Sequence, residues 1–188
     1  MVGPTVHGVK DAEPMVPLPL LDWIDANKDD FAPPVSNKVV WADSTFITMV
    51  VRGPNARNDF HIDPFDEIFQ QLHGSIRVDL IVDGERQEHI VREGEMFLVP
   101  GGVPHAPMRP ADSWGLVIEQ PRPDGTFDEL VWFCEECGCE IHRRTFHMSN
   151  IEVELRDILN EVNADQSARS CPNGHVLAVP EPFVLDAE

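Results

Sequence analysis

"DFHIDPFDEIFQQLHG", residues 59–74, decides how the chain is read. The stretch carries His61, Asp63, Glu67 and His73 and closes on Gly74, so it is either a metal-binding segment or a polar turn running into a strand. In an extended strand residues two apart share a face, so His61 and Asp63 point the same way, and a turn or bulge near Pro64 lets Glu67 rejoin them. A second stretch, "GEMFLVPGGVPHAPMRP" at 94–110, brings His105 from another strand. Imidazole with carboxylate suits divalent first-row metals, and two histidines plus one carboxylate on one face leave the opposite coordination positions open. A single histidine on a strand is more often a hydrogen-bonded structural residue. The joint spacing of His61, Glu67 and His105 is what favours a metal site. His7, His73, His89, His142 and His147 lack such companions and are expected to be solvated or structural.

The bulk numbers bound the rest. With 188 residues, 42% of them hydrophobic, the chain fits one ordinary domain and a small appendage. Its formal charge of -19, from 33 acids against 14 Lys and Arg with no basic block, would repel a phosphate backbone and argues against nucleic acid. No apolar run approaches the roughly 20 residues that span a bilayer. The N-terminus lacks a basic start and an apolar signal core, so the expectation is a cytoplasmic protein without a membrane partner. Cys134, Cys137, Cys139 and Cys171 all fall in the last third. Without a secretory signal, "CEEC" reads as metal-binding or redox rather than as half of a disulfide framework.

Along the chain, residues 1–19 are proline-rich and read as an arm or strap. "LLDWIDAN" predicts a short helix with Leu20, Leu21 and Ile24 on one face. From Val39 the period changes to two: "VVWADSTFITMVVRG" reads as one strand, "IRVDLIVDGERQEHIVREG" as a hairpin across Asp83-Gly84, and "EMFLVP", "WGLVIEQ" and "ELVWF" as further strands. Many short strands with Gly and Pro turns predict a mainly β sandwich or barrel. After Phe133, "SNIEVELRDILNEVN" predicts a helix with Ile151, Leu155, Ile158, Leu159 and Val162 on one face, opened by a Ser149/Glu152 capping box. The expected division is residues 1–133 as a β domain with its arm and short helix, and 134–188 as an appended unit with one helix and the cysteines.

The two quoted stretches resemble the paired motifs of the cupin barrels. Gly53, His61, Glu67 and Gly74 fit the first motif, with Gly53 further upstream than usual and Asp63 where a second histidine is expected; Gly94, Pro100, Gly102 and His105 fit the second, with Arg109 in place of Asn. Replacing that histidine by Asp63 either leaves a three-ligand site or makes Asp63 a weak fourth ligand; three ligands are preferred, because a bidentate substrate together with O2 needs three open positions. More narrowly, "VVRGPNARNDFHIDPFDEIFQQLHG", "EGEMFLVPGGVPHAPMRP", "GLVIEQPRPDG" and "WFCEECG" are similar to the bacterial-type 3-hydroxyanthranilate 3,4-dioxygenases, from about "LLDWID" to the C-terminal cysteines. The resemblance implies a cupin-type double-stranded β-helix, Fe(II) held by His61, Glu67 and His105, a substrate pocket lined by Arg57, Arg109 and Glu119, and a homodimer. It also implies opening of an aromatic ring by O2 to give 2-amino-3-carboxymuconate semialdehyde.

Those roles have physical reasons beside the resemblance. An anionic substrate approaching a chain of charge -19 needs local cations, and the planar guanidinium groups of Arg57 and Arg109 suit a carboxylate. Glu119 lies in the apolar strand "GLVIEQ", where an unpaired carboxylate is costly; it can accept from a substrate amine, or form a plain buried ion pair with Arg109. Two rivals stay open: a sibling enzyme for a substituted ring or other ortho-aminophenol carboxylate, and a non-catalytic metal- or anion-binding cupin. The resemblance further implies a rubredoxin-like site of two CxxC pairs, of which only Cys134 and Cys137 are intact. The second reads "CPNGH", with Gly174 where a thiolate belongs. His175 as fourth ligand, Cys139 as fourth ligand, and no metal are the alternatives. The preferred set is Cys134, Cys137, Cys171 and His175, structural in role, holding zinc or iron.

Overall fold

A computed structural model describes residues 16–31 and 33–185. His7 and most of the proline-rich arm lie outside them. The described chain is mainly β, with two sheets, as the sequence led us to expect. One sheet runs β1 (Asn37–Val39), β2 (Ile47–Arg52), β9 (Trp114–Glu119), β4 (Glu67–His73), β7 (Met96–Val99). The other runs β11 (Glu140–Phe146), β10 (Asp128–Phe133), β3 (Asp59–Ile62), β8 (His105–Met108), β5 (Ile76–Val82), β6 (Glu85–Val91). Each sheet interleaves strands far apart in sequence, the signature of a double-stranded β-helix rather than a meander. The inner faces pack around Met49, Phe69, Val78, Val99, Val117, Leu130 and Trp132, all buried.

Period-two reading locates most strands. β4 alternates buried Glu67, Phe69 and Gln71 with half-buried Ile68, Gln70 and Leu72, as a strand with one face inward must. The β5–β6 hairpin turns at Asp83 and Gly84, both with positive φ (52° and 80°), the two-residue geometry that Asp-Gly favours. The single strand read over 39–53 is instead the antiparallel pair β1 and β2. Its middle, Trp41 to Phe46, is a polar loop whose Asp43 and Ser44 break the alternation.

The helices also differ in detail. α1 (Leu20–Ala26) buries only Ile24, and Leu21 is exposed, because one short helix at the surface has a single turn facing the barrel. α2 (Glu154–Ala164) begins later than its sequence signal suggests. The Ser149 amide and hydroxyl bond to Glu154, while Glu152 turns away and accepts from the Val39 amide of β1. His142, read as lying between elements, sits within β11. Leu155, Leu159 and Val162 of α2, with Met148, Ile151 and Leu177, join the same core as the barrel strands. The expected boundary after Phe133 thus falls between two paired strands, β10 and β11.

Candidate metal centre

β3 and β8 are hydrogen-bonded neighbours, and His61 pairs directly with His105, so both imidazoles leave the sheet on its inner side, 5.2 Å apart at their centroids. β4, from the opposite sheet, contributes Glu67. One ring nitrogen of each histidine and a Glu67 oxygen lie within 4.8 Å of one another, and all three residues are buried. His105 Nε2 stands 2.7 Å from Glu67 Oε2 while its Nδ1 stands 2.9 Å from the Val103 carbonyl. That carbonyl only accepts, so it takes the Nδ1–H and leaves a lone pair on Nε2 facing a carboxylate oxygen. Two acceptors cannot rest together without a proton or a cation between them. Two ligands about 2.1 Å from one ion and at right angles stand about 3 Å apart, so the donor set and its spacing fit a divalent metal. In the metal-free chain the proton takes that place. Burial opposes both charges, but the mutual attraction is larger: Glu67 is held down at about 2 and His105 above the usual imidazole value.

Asp63 shares the inward face, as two-residue spacing requires, yet its oxygens are occupied. Oδ1 accepts from the Phe65 amide at 2.7 Å and Oδ2 from Arg122 Nη2 at 2.8 Å. It groups with Glu67 and Glu119 rather than with the two histidines. Glu119, buried at the end of β9, faces Arg122 at 3.3 Å and not Arg109. Burial first, then the negative charges of Glu67 and Asp63, push its carboxyl well above the ordinary range despite Arg122.

The cavity over these groups is lined by Asn37, Met49, Val51, Arg57, Arg109 and Ile151, among others. The two arginines are not equivalent. Arg57 is spent on Asp59, with Nε and Nη2 bonded to its two oxygens at 3.0 and 2.5 Å. Arg109 is 1% exposed and, among the described residues, has no bonded carboxylate partner, leaves Nε without an acceptor and makes one side-chain bond, 3.5 Å from Nη1 to Gln71. Its backbone is clamped by Asn55, which accepts from the Arg109 amide at 2.8 Å and donates to its carbonyl at 3.0 Å. Burial lowers Arg109 to about 10, still a cation at neutral pH.

Just past the end of β10, Cys134 joins Cys137, Cys171 and His175 to offer four ligand atoms within 4.8 Å of one another. His175 Nδ1 is 3.5 Å from Sγ of both Cys134 and Cys171, and Cys137 Sγ is 4.0 Å from Cys171 Sγ. Around a tetrahedral zinc with bonds near 2.3 Å to sulfur and 2.05 Å to nitrogen, ligand atoms stand about 3.8 Å (S to S) and 3.6 Å (S to N) apart. The spacing fits. Two tight loops present the ligands, closed by Cys134 N–H to the Cys139 carbonyl and Cys171 N–H to the His175 carbonyl, both 2.8 Å. Gly174 has φ of 89°, so the "CPNGH" loop passes its glycine through the turn and delivers His175 one position later. Cys139 contacts Cys137 at 3.4 Å but stands outside the four-ligand group.

Sequence reading missed Arg122, Asp128, Gln71 and Asn55. Arg122 and Asp128 occupy "QPRPDGTFD", a Pro- and Gly-rich loop where no periodicity marks a residue as inward, yet both are buried. Their one sequence signal is an opposite-charge pair bracketing a turn that leads straight into an apolar strand.

The family model described as 3-hydroxyanthranilic acid dioxygenase matches residues 14–163. A protein named 3-hydroxyanthranilate 3,4-dioxygenase from Bacillus thuringiensis (strain Al Hakam) is 46% identical over 160 residues, 84% of this chain and 89% of that protein. One of the same name from Ruegeria pomeroyi is 43% identical over 152 residues, covering 80% and 84%. Among solved structures, a cupin superfamily protein from Desulfitobacterium hafniense is 16% identical with a TM-score of 0.43, covering 59% of this chain and 95% of that one. With the family model spanning the arm's end, the whole barrel and α2, the chain belongs to the 3-hydroxyanthranilic acid dioxygenase family.

Proposed function

We propose that this protein is a non-haem Fe(II)-dependent dioxygenase that opens the ring of 3-hydroxyanthranilate between carbons 3 and 4 with O2, giving 2-amino-3-carboxymuconate semialdehyde. The observation that carries the reading is Arg109: a fully buried cation with no carboxylate bonded to it among the described residues, in the cavity that His61, Glu67 and His105 line. A buried unpaired charge is expensive, and an anionic substrate removes that expense on binding. The family's named activity and substrate agree with it.

His61, Glu67 and His105 would hold the iron, which supplies the redox chemistry linking an aromatic ring to O2. The chain's own groups do the rest. Arg109 takes the substrate carboxylate and fixes the ring's orientation, and Arg57 offers its remaining Nη1, its other nitrogens being engaged by Asp59. Glu119, whose carboxyl burial pushes above the ordinary range, is placed to exchange a proton with the substrate's hydroxyl or amine. Val51, Phe69, Val117 and Leu155 give the cavity an apolar wall that excludes water and accepts a flat ring. Anaerobic loading with Fe(II), then O2 uptake with 3-hydroxyanthranilate and growth of semialdehyde absorbance, tests the reading. Fully bound iron without turnover would sink it, and turnover only with a ring-substituted analogue would transfer it to the sibling substrate.

The four-residue cluster of three thiolates and His175 is proposed as a structural zinc site, since one imidazole beside three thiolates suits zinc better than iron. One zinc per chain beside the barrel iron, by metal analysis, is the expected result. Residues 134–188 are proposed as the unit this site ties to the barrel. No helix among the described residues is long and apolar enough to cross a membrane; the four cysteines are unpaired, as in a reducing compartment, and on that ground a cytoplasmic location is proposed. We also propose a homodimer, whose surface is argued below.

A further inference from the structure

Behind the cavity lies a buried network that the metal ligands do not include. Asp128, the first residue of β10, is fully buried; its Oδ2 is 2.8 Å from His61 Nε2 and 2.7 Å from Arg122 Nη2, and its Oδ1 accepts from Arg122 Nε at 2.8 Å. Arg122 also donates through Nη2 to Asp63 at 2.8 Å, through Nη1 to the Gln120 carbonyl at 2.6 Å, and faces Glu119 at 3.3 Å. Every arm of the guanidinium fork is thus engaged, and the fork ties the backbone after β9 to three carboxylates.

From this geometry we infer that Asp128 and Arg122 are positioning residues of the barrel metal centre: Asp128 locks His61 in one ring orientation and tautomer, and Arg122 locks Asp128. The inference rests on the reading that His61 is a metal ligand. Asp128 uses Oδ1 and Oδ2 as acceptors toward Arg122, so it meets His61 Nε2 with an acceptor only. The proton of neutral His61 is therefore held on Nε2, and Nδ1 carries the lone pair. His105 is arranged in the opposite sense, with its Nδ1–H on the Val103 carbonyl and Nε2 toward Glu67. The two ligand histidines thus present different nitrogens and different outer partners, one a neutral carbonyl and the other a carboxylate that makes its imidazole the stronger donor.

Asp128→Asn separates this from mere packing. Asparagine has nearly the same shape but one acceptor oxygen, which the two Arg122 donors claim. Its NH2 then faces His61 Nε2, forcing the proton to Nδ1 and leaving the wrong nitrogen free. The expected result is a 10–100-fold loss of cobalt(II) affinity at the barrel site, with altered visible cobalt bands. The thiolate charge-transfer bands of the cysteine site, recorded in the same titration, report that the fold is intact. Arg122→Lys, which keeps the charge and loses the fork, is expected to lose less affinity than Asp128→Asn. In zinc-loaded wild type, nitrogen-15 shifts of His61 should show the proton on Nε2. Wild-type cobalt affinity in folded Asp128→Asn, or a His61 proton on Nδ1 in wild type, overturns the inference. If Asp128→Asn does not fold, the Arg122→Lys titration and the His61 shifts decide by the same criteria. Failure of the underlying reading looks different: His61→Ala would then bind barrel-site cobalt as well as wild type does.

Discussion

Arg109 and Glu67 carry opposite consequences for stability, and each can be measured. Arg109 carries a desolvation cost that the attraction of Glu67 offsets only in part, and no carboxylate among the described residues bonds to it. Replacing it with Met of similar length should stabilise the metal-free protein, on the order of 1 kcal/mol, while raising KM for 3-hydroxyanthranilate about ten- to hundredfold, the worth of roughly 1.5–3 kcal/mol for a charged hydrogen bond. Thermal unfolding and steady-state kinetics on the same preparations check it; a variant that loses stability together with affinity would show Arg109 to be structural. Glu67 and His105 make a pH prediction for the metal-free chain. Glu67 falls from 4.5 to about 2 in the folded state, so its stabilisation is present above pH 4.5 and is lost as pH falls toward 2. His105 is raised above 6.5, so its share is complete below 6.5 and is lost as pH rises through its folded value. Both describe one ion pair, counted once, with a plateau between about pH 4.5 and 6.5 and a height on the order of 3 kcal/mol. Chemical denaturation of wild type minus Glu67→Gln across pH 3 to 8 should trace that bell, and a flat difference would contradict it.

At the level of elements, what the sequence made legible follows from periodicity. His61, Glu67 and His105 could be placed on one face because they sit in or beside short strands where a period of two maps position to side, and because two separate segments carried a joint spacing. α2 was legible by its apolar stripe, but its start was not: Ser149 has acidic residues at both 152 and 154, and only β1, from far up the chain, takes Glu152 out of the competition. Arg122 and Asp128 were illegible for a related reason, since tertiary closure alone turns that loop inward. Gly53 shows the same limit. It fits the cupin motif poorly by spacing, yet the end of β2 passes so close to the segment after Arg109 that an added Cβ would overlap the Pro110 carbonyl oxygen and crowd Ser113 Oγ at 2.7 Å. The Gly53 amide also donates to the Ser113 carbonyl at 2.7 Å. Gly53→Ala must therefore separate two elements that jointly seat Arg109. It should destabilise by about 1–3 kcal/mol and raise KM as well, by urea denaturation and kinetics, whereas Gly84→Ala, with no atom within 4 Å of its added Cβ, should show only the strain of its positive φ and an unchanged KM.

For the whole molecule the governing tension is between apolar surface and charge. The outer face of the first sheet carries Ile68 and Leu98 in register on β4 and β7, Ile118 beside Ile68 on β9, and Gln70 between Leu116 and Met96. Met96 and Leu98 on the edge strand β7 are 61% and 50% exposed. An apolar row of Ile118, Ile68 and Leu98, ending beside exposed Met96 on an open edge, is the kind of surface that monomers avoid, and a second copy related by a twofold axis would cover it with the same residues. Against that stands the formal charge of -19 on each chain. Two such chains repel until salt screens them, with a Debye length of about 30 Å at 0.01 M and about 8 Å at 0.15 M. The proposed homodimer should therefore tighten as sodium chloride rises between those concentrations, the reverse of an interface held by ion pairs. Met96→Lys combined with Leu98→Glu should yield a monomer at every salt concentration while leaving the spectroscopic signature of the barrel metal unchanged, because both side chains point away from the cavity. Sedimentation velocity on wild type and the double variant tests this directly. Dimers that weaken with salt, or that survive the double substitution, would place the interface on another face.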